Sequence, residues 1–555
     1  MSLRAIAGRG PPGDTVEGRR GGDDRTSRRP TALQCIVVGV TIVVGLADVH
    51  VIQALPLARR WRAKNVTARV NIAESRTRTF GSSFVDFDRD GDSDLFLNRH
   101  WNPAHFYISR GKSFRRSPED FVSLPGYRGP TPGQVDRHHC QWGEANGDGR
   151  PDLYCTVGAE MGRGKGPNQL VMRRKGRFVD RARRFGVVNR YGRGRSVSWV
   201  DFDSDGDLDL FVANDKRSGY PNVMFENRRR RFRRVGVGLG SEMKSLSSTW
   251  ADWDGDGDPD LIVTRGSIAG WGRLNPVAYR NDQGRFARVR IRNVTDRPWK
   301  SIAWADHNDD SRVDLVAVRG RRVAIMTNTG DGFRTEFARD LARGRSVAWF
   351  DGDNDGDLDA FVVQGATGTA VAPGPNRPDL LLVHRERGFR MLKDPAFRGP
   401  RKGNGETVSA SDYDRDGKVD LFVTNGNNPS GWKGRSTLLR NTLLRNTSDT
   451  QRWAALDLYG GRKNPLGFGA RVEIQVGDRT YWRFLTDGAG YKSQSEVSYV
   501  HLGLGQARSG RARVDWGRGR PDCVRVRARR IKRVRRGASP CHRRLPVTPA
   551  DSGRT

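Results

Sequence analysis

One nine-residue pattern, written seven times, constrains this chain more than any other feature. Its clearest copy is Asp201-Phe-Asp203-Ser-Asp205-Gly206-Asp207-Leu-Asp209, which runs directly into Leu210-Phe211-Val212. Side-chain carboxylates fall at positions 1, 3, 5 and 9, and glycine stands at position 6. A hard cation such as calcium takes roughly six to eight oxygens at about 2.3–2.6 Å, and a turn of this kind supplies several, with the position-7 carbonyl as a further ligand. Gly206 permits the positive-φ bend that wraps the chain around the ion. An EF-hand loop would carry a bidentate Glu at position 12; Val212 stands there, so this loop closes through Asp209. A single acidic turn could equally be a solvated loop, but recurrence argues for a cage.

The copies begin at Asp86, Glu144, Asp201, Asp252, Asp306, Asp351 and Asp412, at steps of 45 to 61 residues. A period near 50 belongs to propellers or solenoids. Each loop follows a short apolar strand, as at Trp199-Val200 or Trp349-Phe350, and precedes another, as at Leu261-Ile262-Val263 or Leu421-Phe422-Val423. Most units then show an apolar run, a basic or glycine-bearing turn and a Phe, as from Val223-Met-Phe225 to Phe232. Four strands per unit make a propeller blade, whereas a parallel β-helix needs shorter rungs. The expected fold is therefore all-β: a seven-bladed β-propeller with calcium-binding loops.

The seven cages differ in charge. Five carry Asp throughout positions 1, 3, 5 and 9: Asp86, Asp88, Asp90 and Asp94; Asp201, Asp203, Asp205 and Asp209; Asp252, Asp254, Asp256 and Asp260; Asp351, Asp353, Asp355 and Asp359; Asp412, Asp414, Asp416 and Asp420. Asp92, Asp207, Asp258 and Asp357 add acids at position 7. The second reads Glu144, Asn146, Asp148 and Asp152, and the fifth reads Asp306, Asn308, Asp310 and Asp314 with Ser311 in the glycine position. Fewer charges and a Cβ at the bend weaken a calcium site, so up to seven sites are expected and the fifth is expected to be the weakest.

These motifs carry a resemblance. Asp-x-Asp-x-Asp-Gly-x-x-Asp between aromatic-ended strands resembles the FG-GAP or VCBS repeats of the integrin α-subunit propeller over about 65–449. Beyond it, Asn464-Pro-Leu-Gly467-Phe-Gly469-Ala470, Gly490-Tyr491-Lys-Ser493-Gln494, His501-Leu-Gly503-Leu-Gly505 and Val514-Asp-Trp516 resemble the ASPIC/UnbV domain in the order of that family. Leu502 stands where the family usually has Phe, and Trp516-Gly517-Arg518 replaces its Trp-Pro turn. The combination resembles the bacterial relatives of cartilage acidic protein, which implies a binding or adhesion module.

The remaining sequence frames the repeat. Residues 1–34 are rich in Arg, Gly and Asp and are expected to be disordered. Residues 35–58 begin with the apolar run Ile36 to Ala47, too short for the roughly 20 residues that span a bilayer and ending in small residues, which reads as a signal peptide or else a membrane anchor. Membrane contact is expected only there. The divisions that follow are a propeller over 59–449, a small β domain over 450–520 and a basic tail over 521–555. The N-terminal stretch Asn65 to Ile72 is expected to complete the seventh blade beside Leu438-Leu439-Arg440. Cys140 with Cys155, and Cys523 with Cys541, are the candidate disulfides, each closing a loop that stabilises by about 3 kcal/mol in the chain-entropy model. Export to a calcium-rich extracellular or cell-surface location fits both cysteines and cages. Three Asn-x-Ser/Thr triplets begin at Asn65, Asn293 and Asn446.

Charge points to partners. The chain holds 98 Lys and Arg against 63 Asp and Glu, a net +35; 26 of the acids occupy cage positions 1, 3, 5 and 9, which leaves 37 elsewhere. Such a surface attracts polyanions in a salt-dependent way, or simply reflects an arginine-rich composition. Among partners besides calcium, an extracellular protein or anionic polysaccharide fits better than nucleic acid. No nucleophile elbow or phosphate loop is present, and the nine histidines lack ligand spacing. A non-catalytic binding module is the expected function, with a calcium-dependent polysaccharide lyase as the enzymatic alternative.

Overall fold

The computed structural model describes residues 62–541, with interruptions of which the longest span 119–134 and 427–441. They lie in one compact unit, Leu57–Thr555. The expectations for residues 1–34 and 35–58 fall outside the described residues, within which no helix is long and apolar enough to cross a membrane.

Each acidic loop is the turn between the first and second strands of a four-stranded antiparallel sheet. In the third repeat the strands are Gly194–Val200, Asp209–Asn214, Val223–Asn227 and Phe232–Val235, hydrogen-bonded in chain order. Five sheets share this pattern among the described residues; the first gains two short strands, Ala489–Gly490 and Ser493–Gln494, along its first strand, and the seventh takes its outer strand from near the N-terminus. First strands such as Thr79–Val85 and Gly405–Ser411 are buried along their whole length, because other strands cover both faces. Fourth strands such as Phe232–Val235 bury only their leading aromatic. Neighbouring first strands contact one another in chain order, and that of the seventh sheet contacts that of the first. Serine suits this crowded centre, where little side-chain volume fits and hydroxyls can bond across strands. Ser82 meets Ser409 at 2.7 Å and Ser198 meets Ser248 at 2.8 Å. The repeat is therefore propeller-like, with apolar clusters such as Val200, Phe211, Trp250 and Phe286 filling the gaps between successive sheets.

The seventh sheet is completed by the N-terminal strand, but three residues do the work and not the expected eight. Ala63–Asn65 pairs antiparallel with Thr442–Asn446, Ala63 opposite Asn446. Residues 67–71 turn instead, because the Asn65 side chain accepts from the Thr67 amide and hydroxyl and Val70 N–H bonds Val66 O. The sequence repeats Leu-Leu-Arg-Asn at 438–441 and 443–446; the second copy forms the strand, and the first lies outside the described residues. Asn446 is buried, with its amide donating to Gly352 O at 2.6 Å, so this triplet presents no free amide for glycosylation. Cys140 and Cys155 face each other across the first two strands of the second sheet and are joined, as are Cys523 and Cys541.

The C-terminal domain packs a four-stranded sheet, Arg479–Phe484, Arg471–Val476, Ser509–Asp515 and Asp522–Arg527, against a three-stranded one, Tyr499–Gly505, Arg452–Tyr459 and Ile531–Arg535. Leu456, Val472, Ile474, Leu502, Val514 and Trp516 share its core. The boundary expected at residue 520 moves: the basic stretch beyond it supplies two strands of this domain. Val526 and Val534 point inward while Arg525, Arg527, Lys532 and Arg535 stay exposed, so each strand gives the core one valine and keeps its basic side chains in solvent.

Candidate metal centres

The acidic loops share one internal wiring. The position-6 N–H donates to the position-1 carboxylate in all seven, at 3.0 Å for Gly91 to Asp86, Gly206 to Asp201, Gly356 to Asp351 and Gly417 to Asp412. The others are Gly149 to Glu144, Gly257 to Asp252 and Ser311 to Asp306. The position-9 Asp is a fastener. In the third loop its two oxygens accept from Phe202 N–H at 3.3 Å and Asn227 N–H at 2.7 Å, which ties loop, second strand and third strand together. Position 4 takes a left-handed conformation in every copy, at Arg89, Gly147, Ser204, Gly255, Asp309, Asn354 and Arg415, in addition to position 6. The sequence shows this second bend only weakly, because Asn, Asp, Gly and Ser stand there in five copies and Arg in two. Ser311 holds φ 70° where the other repeats have glycine.

A cation fits some cages better than others. Carboxylate oxygens of Asp86, Asp88 and Asp90 converge, as do those of Asp201, Asp203 and Asp209, of Asp252, Asp254 and Asp260, and of Asp351, Asp353 and Asp355, each set lying within 4.8 Å. Asp86, Asp201, Asp351 and Asp412 each keep one buried Oδ1 with no hydrogen-bond partner, and so do Asp353 and Asp414. A buried, unpaired carboxylate oxygen is costly, and a divalent cation at the centre of these loops removes that cost. Burial, reinforced by neighbouring acids, pushes Asp86, Asp201, Asp351 and Asp412 up to about 7 and Asp355 up to about 9.

Cages 2 and 5 are instead satisfied from within. Glu144 accepts from the N–H groups of Asn146, Gly147 and Gly149, and the Asn146 amide donates to Asp152 at 3.1 Å. Asp306 accepts from Asp310 and Ser311, while Arg312 lies on Asp310 at 2.5 Å. At position 7 the side chains turn away from the centre: Asp357 binds Arg479 at 2.6 Å, Asp207 binds Lys463 at 3.0 Å, and Asp258 accepts from Gln283 N–H. Asp92 is half-buried, and Asp148 is exposed and accepts from Arg150 N–H. Asp256, Asp359, Asp416 and Asp420 keep the position-5 and position-9 roles, with the position-7 N–H of Asp258 and of Lys418 donating to Asp256 and Asp416.

Sequence reasoning missed an asparagine that joins neighbouring sheets. Asn227, Asn281, Asn328 and Asn446 stand at or next to the ends of the third strands of sheets 3, 4, 5 and 7, and each donates its side-chain amide to the position-2 carbonyl of the preceding loop: Ala145, Phe202, Trp253 and Gly352. The signal was present as an Asn some twenty residues after each position-9 Asp, just before a turn.

Matches to known proteins follow this geometry. The FG-GAP-like repeat model matches residues 86–155, 144–212 and 201–263, each window running from one cage through the second strand of the next sheet, and the ASPIC and UnbV model matches 460–534. The chain carries FG-GAP repeats and a C-terminal ASPIC/UnbV domain. It is 24% identical over 486 residues to cartilage acidic protein 1 of Xenopus tropicalis, covering 80% of this chain and 70% of that protein. To the Homo sapiens protein of that name it is 22% identical over 497 residues, with 80% and 69% covered. Among solved structures, BBS1N in complex with ARL6DN aligns at a TM-score of 0.39 and 9% identity, covering 67% of this chain and 95% of that one, a likeness too loose to carry an argument.

The ASPIC/UnbV domain sits on the acidic loops. Gly503 N–H donates to Asp351 at 2.8 Å, the Tyr499 hydroxyl to Asp412 at 3.1 Å, and Arg483 to Gly356 O at 2.7 Å. His501 bonds Gly417 O at 3.2 Å and stacks on Trp453. Position-1 residues Asp306, Asp351 and Asp412 line one cavity of about 180 Å³ with Arg483, Glu496 and Tyr499. From this face the Lys492-Ser493-Gln494 segment of the domain enters the centre of the repeat ring. Ser493 donates to Val408 O, Gln494 exchanges hydrogen bonds with the Trp142 backbone, and Lys492 reaches Glu406 at 3.3 Å.

Proposed function

We propose that this chain is an exported binding module in which the FG-GAP sheets form one closed seven-bladed propeller loaded with calcium. The support is the recurrence of a buried, unpartnered carboxylate oxygen at position 1 of loops 1, 3, 6 and 7, together with the converging acids of loop 4. Asp86, Asp88, Asp90 and Asp94 and their counterparts would hold the ion, with the position-7 carbonyl completing the oxygen set. Loops 2 and 5, already satisfied by their own hydrogen bonds, would bind least. Calcium supplies charge neutralisation; the Asp side chains and the two left-handed bends supply the shape.

Replacing Asp201 by Asn checks the assignment. Asn keeps an oxygen for the Gly206 N–H but loses the charge, so metal analysis in excess calcium should count one ion fewer per chain. An unchanged count would remove loop 3 from the set.

The ligand we infer is an acidic extracellular polymer or protein surface. It faces a ribbon on the last two strands where Arg525, Arg527, Arg529, Arg530, Lys532 and Arg535 are exposed within eleven residues. Calcium-loaded chain applied to immobilised heparin in about 0.15 M salt should be retained and elute as salt rises, because exposed charge pairs are screened within about 8 Å. Changing Arg525, Arg527 and Arg535 to Ser should bring elution forward. Free flow-through would remove the polyanion, and release of unsaturated sugars from acidic polysaccharides would move the chain to the lyase class.

A further inference from the structure

One junction between sheets sets two histidines at facing positions. At four others the third strand carries an Asn that reaches the position-2 carbonyl of the preceding loop, and Ser109 stands there in the first sheet; position 2 in the other loops is Phe87, Ala145, Phe202, Trp253, Gly352 or Tyr413. Between sheets 5 and 6, position 2 is His307 and the Asn position is His384. His384 N–H still donates to the position-9 carboxylate of Asp359 at 2.8 Å, as the asparagines do to theirs, so the backbone register is intact and only the side chain has changed. A carboxylate joins them: Glu336, from the outermost strand of sheet 5, Phe333–Asp340, places Oε2 at 3.4 Å from His307 Nε2.

We propose that His307, Glu336 and His384 form a transition-metal site of the zinc class, separate in chemistry from the calcium cages. The three side chains offer one ligand atom each within 4.8 Å of one another. Two ligands about 2.0–2.1 Å from a shared tetrahedral ion lie about 3.4 Å apart, which is the His307–Glu336 separation. Two imidazoles with one carboxylate favour zinc and its neighbours over calcium, which takes oxygen ligands. His307 is 3% exposed; its Nε2 also lies 3.4 Å from the Thr327 hydroxyl and 3.6 Å from the Asp314 carboxylate, and His384 Nδ1 is buried without a hydrogen-bond partner, which is costly for a polar ring that serves no ligand. The rings are held in place, His384 stacked on Phe389 at 4.4 Å between centroids and His307 on Trp349 at 5.8 Å. Thr327 donates to Glu336 Oε2 at 2.9 Å, the kind of outer hydrogen bond that orients a metal-binding carboxylate. Glu336 keeps 29% of its side chain exposed, which gives an ion a way in and leaves a fourth position open to water. The ion would pin sheet 5 to sheet 6 where the Asn bridge is missing.

The full chain, stripped with chelator and resupplied with excess calcium, would be titrated with zinc against a chromophoric competitor. One zinc per chain is expected, undisturbed by the calcium. His384→Asn restores the residue used at four other junctions, so it should keep the fold and the calcium count while weakening zinc by more than about 100-fold, beyond the 10–100-fold typical of losing an outer-shell partner. His307→Phe, which restores an aromatic used in loops 1 and 3, should do the same. No zinc uptake by the unaltered chain, or equal uptake by the folded His384→Asn variant, overturns the proposal.

Discussion

Chelating calcium should lower the melting temperature of the full chain by about 2–7 °C, and metal analysis should find about five ions per chain beforehand. The estimate begins with affinity. Extracellular calcium modules bind with dissociation constants of roughly 10⁻⁴–10⁻³ M, so at about 1 mM calcium each site contributes about 0.4–1.4 kcal/mol by mass action. Five sites give about 2–7 kcal/mol. An unfolding entropy of about 2 cal/mol/K per residue makes this roughly one degree per kcal/mol for a chain of this size. The effect should reach beyond the propeller, because Asp351 and Asp412 are at once cage residues and acceptors for Gly503 and Tyr499 of the ASPIC/UnbV domain. Without the ion, like-charged carboxylates crowd this interface; protease cutting near residue 450 should accelerate on chelation. A melt indifferent to calcium would reduce the loops to acidic turns.

The repeat was legible because its chemistry is local. Nine consecutive residues with a fixed alternation report a turn, and the apolar runs on either side report the strands it joins, so the all-β sheets could be read from Asp201 to Val212 and its copies. What lay beyond reach depends on residues distant in sequence. Nothing near Lys492 says that it enters the ring to meet Glu406, 86 residues away. Asn227 and its counterparts act on the neighbouring repeat, so a reading made one unit at a time passes over them. Glu144 is longer than Asp by one methylene and collects three N–H groups, closing the cage on itself, which the residue type alone does not show. The strand Asp522–Arg527 falls in the stretch expected to be a basic tail, because its place in a sheet depends on pairing with Ser509–Asp515.

Replacing Glu406 by Gln should destabilise the chain by about 3–5 kcal/mol, the usual cost of removing one partner from a buried ion cluster and leaving its opposite charges unpaired. Glu406 is buried on the first strand of the seventh sheet and meets Arg345 from the sixth and Lys492 from the inserted segment. Lys492 also lies 4.1 Å from the centre of the Phe80 ring in the first sheet. One carboxylate thus holds together sheets 1, 6 and 7 and the segment at their centre. Burial alone would raise its pKa; the Arg345 and Lys492 charges outweigh it and hold the carboxyl down at about 2. A folded pKa below the ordinary glutamate value of about 4.3 means the stabilisation is fully present above that pH and disappears as pH falls through about 2. Denaturant unfolding of the two proteins should therefore differ most near pH 7, and the gap should close as pH falls from about 4 to 2. The variant should also expose the 486–497 segment to protease, since Lys492 of that segment loses its Glu406 counter-charge. A gap that stays constant with pH would mean Glu406 contributes shape and not charge.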